Sequence, residues 1–173
     1  MSAIDYDLSI IRGIVFDMDG VLSASTVAVR EDGTLQRHSN VKDGYAIQYA
    51  LRCGLKIAVI SGARDLSMLR PYQSLGLTDI YFHCSSKTQV MLEWMGRHNL
   101  AKEEVAYVGD DIPDIKAMLE AGLSVTPADG AREVKEIARY ISPFNGGHGV
   151  ARDLIMQILS AKGQWLSPDA YEW

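Results

Sequence analysis

Asp17-Met18-Asp19-Gly20 sets two carboxylates one residue apart, at the end of an apolar, β-branched run from Ile10 to Phe16 that reads as a buried strand. Acids at the end of a buried strand raise one another's pKa unless a proton or a cation compensates. A hard divalent ion meets that need, because magnesium takes one or two carboxylates and leaves its other positions to water and phosphate. Further polar groups fall at or just past later apolar runs: Ser61-Gly62, Lys87, and Asp110-Asp111 with Asp114. Acids to hold a metal ion, with a lysine, a hydroxyl and backbone amides to hold three phosphoryl oxygens, form the electrostatic equipment of phosphoryl transfer. Each member alone has a plainer reading. Ser61 could cap a helix, Lys87 could be a solvated first-turn lysine, and Asp110-Asp111 could cap the next helix. Read that way together, they would leave acids gathered at strand ends without a counter-charge.

The elements that must position these residues alternate between strand and helix. After the Asp17–Gly20 turn, Thr26-Val27-Ala28-Val29 and Thr34-Leu35-Gln36-Arg37 flank Asp32-Gly33, a hairpin signal. A helix is expected over Val41–Cys53, stopped by Gly54, and a second buried strand over Leu55–Ile60. Helix Leu66–Leu75, strand Ile80–Phe82, helix Lys87–Asn99, strand Val105–Val108 and helix Ile112–Ala121 follow. Strand Leu123–Val125, helix Ala131–Ala138, the short strand Tyr140-Ile141 and helix Val150–Ala161 complete the pattern. Such alternation fits right-handed crossovers, so the expected fold is α/β, a doubly wound parallel sheet. Ligands of such sheets bind beyond the carboxyl ends of the strands, where all the polar clusters lie. One domain over 1–173 is expected, with a protruding hairpin at 25–38 and a tail at 162–173.

Composition narrows the function classes. With 173 residues, 47% of them hydrophobic, the chain can bury a substantial core. A net charge of −5, without any Lys/Arg cluster, argues against nucleic acid as a partner. Cys53 and Cys84 match no metal spacing. No apolar run approaches a membrane span, and Asp5 and Asp7 stand where a signal peptide would be basic, so a soluble cytoplasmic protein is expected.

Asp17-Met18-Asp19-Gly20, Ser61-Gly62, Lys87 and Gly109-Asp110-Asp111-Ile112-Pro113-Asp114 resemble the four signature motifs of the haloacid dehalogenase superfamily of phosphatases. Asn40–Tyr45, Gly146-Gly147-His148-Gly149 and Ala161–Trp165 extend the likeness to its octulosonate-phosphate phosphatases, over nearly the whole chain. The resemblance implies that Asp17 is a nucleophile forming an aspartyl-phosphate and that Asp19 protonates the leaving alcohol and then activates water. It implies magnesium held by Asp17, Asp110 and the backbone carbonyl of Asp19, with Asp111 or Asp114 supporting through water. Ser61 and Lys87 would then grip the phosphoryl oxygens, with Gly62 beside them.

Many relatives cover the site with a cap domain. Here the stretch from Asp17 to Ser61 is used up by a hairpin and a helix, and the stretch from Lys87 to Asp110 by a helix and a strand. Neither holds a cap, and an open crevice selects poorly and admits water. The resemblance implies a homotetramer in which a neighbour roofs each site, and the aromatic tail (Trp165, Leu166, Tyr171, Trp173) is expected to dock on that neighbour. A sugar-acid phosphate also carries a carboxylate, for which Arg64 and Arg70 are candidates. Lys42 and Asp43 either contact the sugar or cap a helix. Octulosonate phosphatases often place arginine directly after the motif glycine and their nonulosonate relatives an acid, where this chain has Ala63 with arginine one later, so a nonulosonate 9-phosphate stands as the alternative substrate. Two readings of another class stand beside these. A phospho-signalling receiver would carry a lone acid after the third strand, where this chain has His83-Cys84-Ser85-Ser86. A non-catalytic assembly subunit would not need Asp17, Asp19, Lys87 and Asp110 intact.

Overall fold

The computed structural model describes residues 4–171. Strand β1 (Gly13–Phe16) is buried along its whole length and pairs in parallel with β4 (Lys56–Ile60) and β6 (Val105–Val108). Beyond β4 lies β5 (Asp79–Tyr81); beyond β6 lie β7 (Leu123–Thr126) and β8 (Tyr140–Ile141). The order β5-β4-β1-β6-β7-β8 therefore turns back at β1, so that the crevice opens above its carboxyl end.

Alternation along the strands divides the core in two. Ile14 and Phe16 face one side, with Ile47 and Ala50 of α1 (Val41–Arg52) and Leu154, Ile155 and Ile158 of α6 (Val150–Ala161). Val15, Ala58, Ile60 and Tyr107 face the other. There they meet Met91 and Trp94 of α3 (Lys87–Arg97), Met118 of α4 (Ile115–Glu120) and Val134 of α5 (Arg132–Ile137). Strands covered on both faces must be apolar throughout, which is why β1, β6 and β7 read as continuous apolar or small-residue runs. No helix among the described residues is long and apolar enough to cross a membrane.

Between β1 and β4 the chain forms only the β2 (Ala28–Val29) and β3 (Leu35–Gln36) hairpin and α1, and no cap domain. The hairpin turn closes where Gly33 takes a left-handed φ of +80° and Asp32 Oδ1 accepts from the Thr34 amide at 2.9 Å. Three elements start three residues later than expected. Leu8–Ile10 wind a short 3-10 turn capped by Asp7, so the first strand begins at Gly13 rather than Ile10. Asp65 likewise captures the Ser67 amide, and α2 (Leu69–Ser74) starts three residues late, with Pro71 in its first turn. The helix expected from Ile112 opens as a 3-10 turn, Ile112–Asp114, before α4 begins.

The tail corrects a larger expectation. It folds onto its own subunit: Tyr49 donates its hydroxyl to the Gln164 carbonyl at 2.6 Å, the Trp165 ring meets Tyr49 edge-on at 5.9 Å, and the Tyr45 hydroxyl bonds to the Ala170 carbonyl. Arg152 stacks over the Trp165 ring, 5.2 Å from its centre. Aromatic rings without helical spacing find partners here because α1 presents Tyr45 and Tyr49, stacked on each other, on one side. Leu166 and Tyr171 stay exposed, and Trp173 lies outside the described residues. Trp165→Ala should therefore lower stability by about 2 kcal/mol, half the cost of deleting a fully buried tryptophan. In a thermal melt at low protein concentration this is a fall of roughly 4–8 °C; an unchanged melt would place the indole elsewhere.

Candidate active site

The Asp17 amide donates to the Val108 carbonyl at 3.0 Å, so the acid stands at the last rung of the β1–β6 ladder, with its side chain nearly buried. The chain then turns sharply: the Met18 carbonyl accepts from the amides of Leu22 and Ser23, and the Met18 side chain is buried in the core. Two glycines make room for the acids. A Cβ at Gly20 would overlap the Asp110 carboxylate, and one at Gly109 would overlap the Asp114 side chain. Gly20 also holds a φ of +81°, which L side chains rarely adopt. Without Gly20 the loop after β1 could not close on Asp110, and without Gly109 the chain after β6 could not fold back on its own Asp114.

Lys87 Nζ lies between Asp17 Oδ2 and Asp114 Oδ1, 2.7 Å from each. Asp114 is fully engaged. Its Oδ1 also accepts from the Tyr107 hydroxyl at 2.8 Å, and its Oδ2 accepts from the amides of Asp110 and Asp111 at 3.1 and 3.4 Å. One oxygen each of Asp17, Asp110 and Asp114 fall within 4.8 Å of one another. Three carboxylates against one ammonium leave a formal excess of two negative charges, which is the charge of one divalent cation. Oxygen donors favour a hard ion such as magnesium. Left without it, the acids hold protons: burial and then Asp114 push Asp17 up to about 7 despite Lys87, and the same causes push Asp110 to about 7. Burial pulls the Lys87 ammonium down, but Asp17 and Asp114 outweigh it and the net shift is upward, so this lysine stays charged.

A cleft of about 610 Å³ opens over these groups, lined by Asp17, Asp19, Ser61, Gly62, Lys87 and Lys116 among others. Ser61 is buried, and its Oγ accepts from the Ala63 amide at 3.1 Å. Thus the expected Asp17, Asp19, Ser61, Gly62, Lys87, Asp110 and Asp114 come together; Asp111 stands at the rim, exposed, with Oδ1 accepting from the Ile112 amide. The expected substrate contacts do not join them. Arg64 and Arg70 are exposed and do not line the cleft. Lys42 is an exposed first-turn residue of α1, and Asp43 is buried against α6, where it accepts from the Arg152 amide at 2.8 Å. Asp43 caps a helix rather than facing the cleft, and burial raises its pKa.

Three residues escaped the reading of the sequence. Tyr107 is signalled by a hydroxyl within an apolar strand, which needs a buried partner. Lys116 lines the cleft from α4. Arg37 has no local signal, because the hairpin must first fold back on Asp19. Its side chain is 3% exposed; Nε reaches Asp19 Oδ1 at 2.6 Å, Nη2 reaches Asp19 Oδ2 at 2.9 Å, and Nη1 reaches Asp65 Oδ1 at 2.9 Å.

This arrangement is one that known proteins share. A family model described as haloacid dehalogenase-like hydrolase matches residues 72–154. The chain is 34% identical over 154 residues to the 3-deoxy-D-manno-octulosonate 8-phosphate phosphatase KdsC of Escherichia coli K12, spanning 89% of this chain and 82% of that protein. It belongs to the haloacid dehalogenase-like hydrolases. Among solved members, the Yersinia pestis 3-deoxy-D-manno-octulosonate 8-phosphate phosphatase superposes with a TM-score of 0.87 at 31% identity, covering 92% of this chain and 86% of that one. The Moraxella catarrhalis 3-deoxy-D-manno-octulosonate 8-phosphate phosphatase, solved with a magnesium ion, a phosphate ion and a KDO molecule, gives 0.88 at 27% identity, over 95% and 93% of the two chains. In this hydrolase, as in the family pattern, the strand-end acids stand where the sheet order reverses.

The raised carboxyl values fix the sign of a pH effect. Between the ordinary aspartate value of 3.8 and about 7, the metal-free folded state holds more protons at Asp17 and Asp110 than the unfolded chain. Their contribution to stability is therefore lost as pH rises through that window, and a cation that replaces the protons should restore it. At a hundredfold excess over its Kd, magnesium should add about 2.7 kcal/mol at pH 8, roughly 5–10 °C in Tm for a chain of this size. At pH 5 the rise should be small, and in Asp110→Ala it should vanish. Equal rises at both pH values would mean that the two acids are ionised without the ion.

Proposed function

We propose that this protein is a magnesium-dependent phosphatase hydrolysing 3-deoxy-D-manno-octulosonate 8-phosphate to the free sugar acid and phosphate, a step in making the sugar component of lipopolysaccharide. The observation that carries the reading is the ion pair of Asp17 with Lys87, with an Asp110 oxygen within 4.8 Å, at the floor of an open cleft, in a chain akin to phosphatases of that sugar phosphate. Asp17 and Asp110, with the backbone carbonyl of Asp19, would hold the magnesium ion, which would neutralise charge on the phosphoryl group. Asp17 attacks phosphorus through a carboxylate oxygen; the bond from phosphorus to the sugar oxygen breaks, and Asp19 gives that oxygen a proton. Water then attacks the aspartyl-phosphate, Asp19 takes its proton, and the bond to Asp17 breaks. Lys87 and Ser61 hold phosphoryl oxygens through these steps. Asp114 is saturated by Lys87, Tyr107 and two amides, so it sets the lysine and the Asp110-Asp111 loop in place rather than binding the ion itself.

The whole chain, 1–173, acts as one catalytic domain. It works as a homotetramer in which a neighbour roofs the cleft, a reading supported by the lack of a cap and by the exposed hairpin, where Val29 is 69% exposed. Because the tail packs on its own subunit up to Ala170, the hairpin is the better candidate for the intersubunit contact. A nonulosonate 9-phosphate, which carries the same two anionic groups, is the second reading of the substrate, because Ala63 lines the cleft directly after Gly62, where an arginine is expected for the octulosonate ester.

Phosphate release measured over a panel of sugar phosphates, with octulosonate and nonulosonate esters included, tests the reading. The octulosonate ester should give the highest kcat/KM, and a preference for the nonulosonate ester would select the second substrate. Asp17→Asn should lower kcat by roughly 10³-fold or more while the protein still melts cooperatively, as expected for a nucleophile. Undiminished turnover in that variant would refute the site.

A further inference from the structure

Arg37 is the one hairpin side chain among the described residues that forms an ion pair with an acid of the cleft. It follows directly on β3, and its guanidinium is almost wholly withdrawn from solvent. Two of its nitrogens meet the two oxygens of Asp19 in a planar fork, at 2.6 and 2.9 Å. The third reaches Asp65, on the loop that follows Ser61-Gly62, at 2.9 Å. Asp65 is itself held by the Ser67 amide. Asp19 Oδ1 also accepts from the Ser23 hydroxyl at 2.9 Å, so this oxygen is used twice, while Oδ2 accepts from Arg37 Nη2 alone and Asp19 lines the cleft.

We propose that Arg37 is a positioning residue, a bidentate fork from the hairpin that sets the plane of the Asp19 carboxylate so that its open oxygen faces the scissile ester. A carboxylate on two rotatable bonds would otherwise sample several orientations, and only a fork contact fixes both its direction and its plane. A proton donor must lie within hydrogen-bond reach of the leaving oxygen, which makes orientation as important as presence. Through Asp65 the same guanidinium ties the loop bearing Ser61 to the loop bearing Asp19, so the two sides of the cleft keep one spacing. The hairpin thereby acts on the chemistry from within its own subunit, apart from any part it plays in assembly.

This inference rests on the role proposed for Asp19, and the test separates the two. Arg37→Met keeps the stem and removes the charge; Arg37→Lys keeps the charge and removes the fork. Each is compared with the unaltered chain, at saturating magnesium, on two esters. One is an alkyl sugar phosphate, whose leaving oxygen needs a proton; the other is p-nitrophenyl phosphate, whose leaving oxygen does not. Both variants should lose about 10- to 100-fold in kcat/KM on the alkyl ester, the ratio that reports the steps up to loss of the sugar oxygen, part of the full contribution of a general acid. On p-nitrophenyl phosphate the loss in kcat/KM should stay within about 3-fold, because the later attack of water, in which Asp19 takes a proton whichever ester was used, does not enter that ratio. Equal losses on both esters would reduce Arg37 to a structural tie and overturn the inference, as would full activity of Arg37→Lys on the alkyl ester. An unaltered chain that hydrolyses neither ester would overturn the phosphatase reading and this inference with it.

Discussion

One buried ammonium shared by two carboxylates, with a third carboxylate close by, is the constraint to which the rest of the structure answers. Lys87 can neutralise Asp17 or Asp114 but not the whole group, so the strand ends carry a charge deficit that only a divalent ion or bound protons can fill. The fold concentrates that deficit. β1 and β6 run side by side and in parallel, so the residues following each strand emerge on the same edge, and Gly20 lets the loop after β1 touch Asp110. A core that covers the sheet on both faces keeps the site from relaxing. Phe16 and Val108 are wholly buried, one residue before Asp17 and two before Asp110.

Asp114 shows how roles divide within a cluster of like charges. Its four contacts consume its lone pairs, leaving Asp17 and Asp110 as the acids with free ligand capacity. An acid that accepts from a lysine, a tyrosine and two amides is worth more as scaffold than as ligand: removing it would strand a buried ammonium and a buried hydroxyl together. Tyr107, a residue with no chemistry of its own to suggest from a list of motifs, belongs to the site for this reason. Asp19 is arranged differently. Its partner, Arg37, arrives from a hairpin that has no hydrophobic core of its own, so an otherwise peripheral element becomes part of the site's geometry.

The open cleft and the tail bear on substrate choice. With Trp165 packed on Tyr49 and Arg152, the C-terminal aromatics complete the α1–α6 face of their own subunit up to Ala170. Residues that looked suited to gripping a sugar acid, Arg64 and Arg70, lie outside the cleft, while Lys116 lines it.

Sequence alone determined the elements and the kind of chemistry. Apolar runs covered on both faces can only be inner strands, and a strand ending in Asp-x-Asp-Gly beside later acids and a lysine demands a cation; both follow from local pattern and charge. Even the glycines of Asp17–Gly20 and Gly109–Asp114 stood in the motif, although their function as space for a neighbour's carboxylate did not. Tertiary structure alone decided that Asp114 is taken up by Lys87, Tyr107 and two amides, that Arg37 returns to Asp19, that Asp43 caps α6, and that the tail turns inward. Each of these is a contact between residues far apart in the chain, and its energy depends on distance and burial, quantities that no spacing along a sequence contains.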